Sequence, residues 1–201
     1  MKLKTLVVGP IETNCYILSD EASHEAIIID PGADSNAIRD YLKRNHLKPK
    51  FIVNTHGHID HIGVDAQFNL PVYIHKSDRD YLDNDDKNLS NFLGIKGSAP
   101  IEIKTLEDHD TVAIANIKLE VIHTPGHTPG GISLRVDNMV FTGDALFCSG
   151  IGRTDLPGAS ESQLIESIKN RLLVLPDDTV IFPGHGPSST IGQEKKSNPL
   201  L

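Results

Sequence analysis

Thr55-His56-Gly57-His58-Ile59-Asp60-His61 follows directly on an apolar run over residues 51–54, and this junction of a strand with a histidine-bearing turn decides how the chain is read. Side chains two residues apart on extended backbone point the same way, so His56 and His58 can serve one point. Asp60 and His61, on the turn beyond, reach a second point beside it. One segment can therefore feed two metals. The arrangement recurs downstream: Pro125-Gly126-His127-Thr128-Pro129-Gly130, Thr142-Gly143-Asp144 and Pro183-Gly184-His185-Gly186 each come after a predicted strand. Strand ends that run into tight turns let a sheet aim several side chains at one place, and Gly bends the backbone without a Cβ penalty.

Outward from these junctions, short β-branched runs predict strands over residues 3–8, 15–18, 26–30, 51–54, 72–74, 112–114, 117–122, 132–136, 139–142 and 179–182. Helical patterns lie between them at 35–46, 61–69 and 160–175. In the last, Ser160 and Gln163 form a capping box and Pro176 stops the run. Strands interleaved with single helices in both halves imply a layered α/β architecture, two packed sheets with helices outside them. Residues 76–110 are polar and weakly periodic, and read as a short helix followed by a long surface loop flanking the site.

Composition narrows the partners. With 27 acidic against 19 basic residues, the net charge is −8. A basic face for nucleic acid or anionic lipid is not expected, which leaves a small-molecule substrate, no nucleic acid and no membrane. No long apolar run occurs and residues 1–10 lack the features of a secretory signal, so the expected location is cytoplasmic. A chain of 201 residues without a linker reads as one domain over 1–201. Cys15 and Cys148 stand among apolar residues and are expected to be reduced, buried thiols.

Imidazole and carboxylate donors suit Zn, with Fe or Mn as alternatives. His56, His58 and His127 would hold one ion, and Asp60, His61 and His185 a second. Asp144, with two oxygens, would bridge them. A lone His-x-His is more often a hydrogen-bonded pair than a ligand set, but four elements in order make metal binding the better reading. His24, His46, His75, His109 and His123 lack such context and read as surface or core histidines.

With these residues in place, the chain resembles the metallo-β-lactamase superfamily over nearly its whole length, and within it the short, single-domain glyoxalase II-like hydrolases. Thr13-Asn14-Cys15-Tyr16, Asp30-Pro31-Gly32, Gly152-Arg153-Thr154-Asp155-Leu156-Pro157 and Gly184-His185-Gly186-Pro187 match beyond the ligands. The resemblance implies an αββα sandwich of two mixed sheets with helices on the outer faces, and the same seven ligands. It also implies that Asp30 supports the site from behind, although Asp-Pro-Gly reads equally well as a turn. The activity implied is hydrolysis of a thioester such as S-lactoylglutathione, by a hydroxide held between two metals and oriented by Asp60. Retention of His58 and Asp144 argues against dioxygen reduction and β-lactam hydrolysis. The C-terminal helical domain that recognises glutathione in longer relatives is not expected here. Arg153 is the candidate for gripping a substrate carboxylate, or else forms an ion pair with Asp155. The alternative activity is a mononuclear iron persulfide dioxygenase, which shares the fold and the first motif.

Overall fold

The computed structural model describes residues 1–97, 100 and 102–201. Among them, one six-stranded sheet runs in the order β1 (Lys2–Val8), β2 (Thr13–Ser19), β3 (Glu25–Ile29), β4 (Lys48–Val53), β5 (Val72–His75) and β6 (Ile103–Leu106). Its first three strands are antiparallel and its last four are mutually parallel. The chain continues through β7 (Thr111–Ile114), β8 (Ile117–His123), β9 (Ile132–Val136) and β10 (Met139–Gly143), then the small hairpin β11 (Leu146–Phe147) and β12 (Gly150–Ile151). With β13 (Val180–Pro183) and β14 (Ser189–Thr190), the second sheet takes the order β14-β13-β10-β9-β8-β7, in which only β10 and β13 are parallel. Both sheets are mixed, as expected.

Alternation along β2 shows why the layers form. Tyr16 and Leu18 turn into the space between the sheets to meet Leu119, Val121, Leu134 and Phe141. Cys15 and Ile17 turn the other way, onto Ile38 and Leu42 of α1 (Ser35–Arg44). Strands buried on both faces need apolar side chains at every position, which is why they read as continuous runs. On the far side, Val140 and Ile181 pack beneath Leu164 of α4 (Glu161–Ser167), the π-helical turn Ile168–Leu172, and Ile191 of α5 (Ile191–Ser197). No helix among the described residues is long and apolar enough to cross a membrane.

Several expectations change. The helix over 61–69 is instead a short α2 (Ile59–Ile62) and a 3₁₀ turn, Asp65–Phe68. Gly32, which has no Cβ, sits against the Asp60 carbonyl, and the Val64 N–H turns to Pro31 O, so the α-helical ladder stops. In the 76–110 stretch, a 3₁₀ segment, Lys76–Asp83, precedes α3 (Ser90–Leu93), and β6 replaces part of the supposed loop; residues 98, 99 and 101 fall outside the described residues. Only Ile103 and Leu106 of β6 are apolar, too few to signal an edge strand. Half of the capping box forms: Ser160 Oγ accepts from the Gln163 N–H at 3.4 Å, but the Ser160 N–H donates to Gly126 O at 2.7 Å. That exchange ties α4 to the loop carrying His127. Both cysteines are free; Cys15 is buried, but Cys148 is exposed, contrary to expectation.

His75 closes β5 and stacks on His123, which closes β8 in the other sheet, with ring centroids 4.0 Å apart. Its Nδ1 accepts the Ser77 N–H at 3.3 Å, a role that only the unprotonated ring can fill. Burial, then the neighbouring His123 and Lys76, lower its pKa to about 4. The unfolded chain therefore binds this proton at a higher pH than the folded one, and the linked stability is lost as the pH falls from about 6.5 towards 4. His75→Asn keeps an acceptor that does not titrate, and should flatten the fall in denaturation midpoint across that interval.

Candidate metal centre

Every candidate ligand lies just beyond the C-terminal end of a strand. His56 and His58 lie between β4 and α2, Asp60 and His61 on α2, and His127 between β8 and β9. Asp144 follows β10, and His185 follows β13. The structure brings all seven together. Ligand atoms of His56, His58 and His127 lie within 4.8 Å of one another, as do those of Asp60, His61 and His185, and those of His56, His61 and Asp144. Asp144 Oδ1 is 3.4 Å from His61 Nε2, and its Oδ2 is 3.5 Å from His127 Nε2 and 3.6 Å from His185 Nε2. Its carboxylate stands between the two triads.

Bonds on the outer ring nitrogens turn the inner ones toward this point. His127 Nδ1 donates to Arg153 O at 2.8 Å, His185 Nδ1 approaches Ile11 O at 3.2 Å, and His61 Nδ1 meets Asp30 Oδ2 at 2.9 Å. Thr55 Oγ1 donates to Asp30 Oδ2 at 2.6 Å, so at 3.2 Å it is left to accept from His56 Nδ1. Asp30 thus sits behind His56 and His61 at once. Its φ of +52° also makes it part of a tight turn.

The donor set fits a pair of cations. His56 Nε2 and Asp144 Oδ1 are buried without a hydrogen-bond partner, and His58 Nδ1 faces His127 Nε2 at 2.9 Å. Buried lone pairs that face one another are costly unless something positive lies between them. Burial, reinforced by His61, lowers the pKa of His56 well below the usual range, and burial with His127 lowers that of His58 to about 3. These rings are neutral and ready to bind. Around His61 burial also works against charge, but Asp60, Asp144 and Asp30 prevail and raise its pKa. Asp144 is itself lowered against the effect of burial, chiefly by His61. The carboxylates call for positive charge at the centre.

Two features were not legible beforehand. Asp78, fully buried, accepts from the Gly57 N–H at 3.0 Å, from Thr128 Oγ1 at 2.6 Å and from the Gly130 N–H at 2.6 Å. It fastens the turn holding His56 and His58 to the loop holding His127. Thr13-Asn14-Cys15-Tyr16 also acquires a role. Asn14 Nδ2 donates to Pro183 O and Gly186 O at 3.0 and 2.9 Å, and the Tyr16 hydroxyl donates to Pro183 O at 2.6 Å, so β2 pins the backbone on either side of His185. Gly184 lies so near Asp144 Oδ1 that a Cβ there would strike it. Arg153 lines the cleft above the cluster, but its Nε and Nη2 both reach Asp155 at 2.9 Å. The internal ion pair is the arrangement observed.

The metallo-beta-lactamase superfamily model matches residues 8–185. The chain belongs to this superfamily. It is 39% identical to the probable metallo-hydrolase YqgX of Bacillus subtilis, covering all of this chain and 98% of that one. It is 34% identical to the hydroxyacylglutathione hydrolase GloC of Haemophilus influenzae, with the same coverage. Among solved structures, the BLEG-1 B3 metallo-beta-lactamase aligns with a TM-score of 0.92 at 40% identity, covering 100% of this chain and 99% of that one. TTHA1623, solved in a di-iron-bound form, gives 0.88 at 34% identity with 98% and 100% coverage. ETHE1 from Myxococcus xanthus gives 0.82 at 29% identity with 99% and 84% coverage. The two mixed sheets with outer helices are the fold of this superfamily, and relatives named as metallo-hydrolases are similar to the chain over its whole length.

Asp78→Ala should destabilise the fold by about 2–4 kcal/mol, because two backbone N–H groups and a hydroxyl lose their buried acceptor. Asp78→Asn, which keeps one acceptor, should fall between it and the parent in urea denaturation.

Proposed function

We propose that the protein hydrolyses an acyl-thioester, with S-lactoylglutathione and related hydroxyacyl-thiols as the first candidates, using two divalent cations, Zn before Fe or Mn. The observation that carries this reading is the pair of ligand triads sharing Asp144 on the floor of a cleft of about 270 Å3. His56, His58 and His127 would hold one cation and Asp60, His61 and His185 the other, with Asp144 between them. When bound, such a pair makes water acidic enough to act as a nucleophile near neutral pH and stabilises oxyanion charge. The similarity to GloC over the full chain supports the thioester class.

The chain's own groups then have separate tasks. Asp60 Oδ2 is held by Thr13 Oγ1 at 3.3 Å, which steadies the carboxylate that would orient the attacking water. Asp30 and Thr55 keep the proton of His56 on Nδ1, away from the centre. A thiolate leaves readily, so no general acid is required at the sulfur, and none is assigned. This differs from amide cleavage, where the leaving nitrogen needs a proton.

Two other activities have a specific observation behind them. The ETHE1 neighbour keeps a mononuclear iron dioxygenase acting on a persulfide in view, although Asp60, His61 and His185 form a second complete triad. The BLEG-1 neighbour, at 40% identity, weakens the exclusion of β-lactam hydrolysis drawn from Asp144. Purified metal-loaded protein should release thiol from an acyl-thioester, while showing neither persulfide-dependent oxygen uptake nor opening of a β-lactam at comparable rates. His127→Ala and Asp144→Ala should each lower thioester turnover by about two orders of magnitude or more and reduce the metal-to-protein ratio. Oxygen uptake without thioester turnover, or full activity in either variant, would sink the hydrolase reading.

A further inference from the structure

Above the ligand cluster the cleft is walled by hydrocarbon. Leu89, Phe92 and Leu93 come from the α3 region, and Phe147, Ile151 and Leu156 from the β11–β12 hairpin and the loop after it. Phe92 is 77% exposed, Leu93 36% and Ile11, also lining the cleft, 39%. These are three of the seven large apolar side chains that stand exposed among the described residues. Exposed apolar side chains scattered singly need no explanation, but their convergence around a polar reactive centre marks a binding surface.

Charge is correspondingly scarce. Arg153 is the only lysine or arginine among the described residues lining the cleft, and its Nε and Nη2 are engaged by Asp155. A substrate carboxylate would meet only the donors that Asp155 leaves, or exchange one exposed ion pair for another, and exposed pairs contribute little. The other charges facing the cleft are Asp60 and Asp144, which repel an anion until cations neutralise them.

We propose that this cleft recognises its thioester by an apolar acyl chain laid over Phe92, Leu93 and Leu89, and not by the carboxylates of a carrier such as glutathione. The inference rests on the thioesterase reading and moves its substrate class from hydroxyacyl-glutathiones to thioesters with an apolar acyl chain. A group joined to a carbonyl at the metal cluster must lie along the wall that rises from it, and the wall here is hydrocarbon. Each methylene moved from water onto such a surface should strengthen binding about three- to fourfold.

The test uses the metal-loaded full chain and straight-chain acyl-thioesters, acetyl to octanoyl, of the neutral thiol N-acetylcysteamine, beside the same acyl series on glutathione. Binding of the unhydrolysable S-alkyl thioethers of N-acetylcysteamine is followed in parallel by calorimetry. The expected result is a rise in kcat/KM of about threefold per methylene over the first several carbons, similar on both thiols, with the same trend in thioether affinity. Phe92→Ser, at an exposed position where the fold loses little, should flatten both trends. Should no thioester be hydrolysed while thioether affinity still climbs with chain length, the hydrolase reading fails and the apolar recognition stands. Thioester turnover with no dependence on chain length, or a glutathione carrier that raises kcat/KM more than the whole acyl series does, would overturn the apolar recognition and leave the hydrolase reading intact. Sedimentation velocity completes the set: if Phe92→Ser dissociates a dimer and leaves the chain-length trend untouched, the patch is a self-interface and the inference is wrong.

Discussion

The buried carboxylate of Asp30 is the point on which the centre turns. It accepts from the Thr55 N–H and hydroxyl and from His61 Nδ1, at 2.7, 2.6 and 2.9 Å, and through Thr55 it also sets the proton of His56. A carboxylate taken out of water needs such donors, and here the donors belong to the turn that carries the first ligands. The backbone bends with a positive φ at Asp30, and Gly32 lets the Asp60 carbonyl come close, so the turn after β3 and the start of α2 are packed as one unit. The positions of His56, His58, Asp60 and His61 follow from how that unit sits on the parallel half of the first sheet.

A second buried carboxylate does the complementary work. Asp30 organises the first motif within its own sheet, whereas Asp78 reaches from the segment after β5 across to the β8–β9 loop of the other sheet. β2 makes a similar connection on the other flank, where Asn14 and Tyr16 clasp the backbone around His185. Each sheet thus delivers part of the ligand set, and polar clasps at the sandwich edge bring the parts into register. The cluster between the sheets is mostly hydrocarbon, which supplies cohesion but little directional control. The directional control comes from the buried hydrogen bonds at the edge.

In the proposed reading, chemistry and specificity draw on different surfaces of the same cleft. The floor is polar and tightly constrained, each histidine aimed by a bond on its outer nitrogen where it has one. The walls are apolar and come from short, local elements: α3 and the β11–β12 hairpin. Such a division lets one superfamily scaffold keep its reactive centre while substrates differ, because the walls change without disturbing the strand ends. It also explains how neighbours with different names share this fold at 29–40% identity.

Short β-branched runs and glycine-rich strand ends determined, from the sequence alone, the layered architecture and the seven residues that converge. Those signals are local: a continuous apolar run marks a strand buried on both faces, and His-x-His-x-Asp-His places its side chains by the spacing of adjacent residues. Asp78 lay hidden in a polar stretch because its partners are about 21 and 50 residues away and only packing brings them near. β6 escaped notice for a related reason, since an edge strand with two apolar positions is defined by the neighbour it pairs with. The helix expected over 61–69 broke because Gly32, from a different turn, presses on the Asp60 carbonyl. Arg153 pairs with Asp155, two residues along the chain. Periodicity and motif spacing write local geometry into a sequence; which distant groups meet, and with what orientation, is decided only when the two sheets close on their shared core.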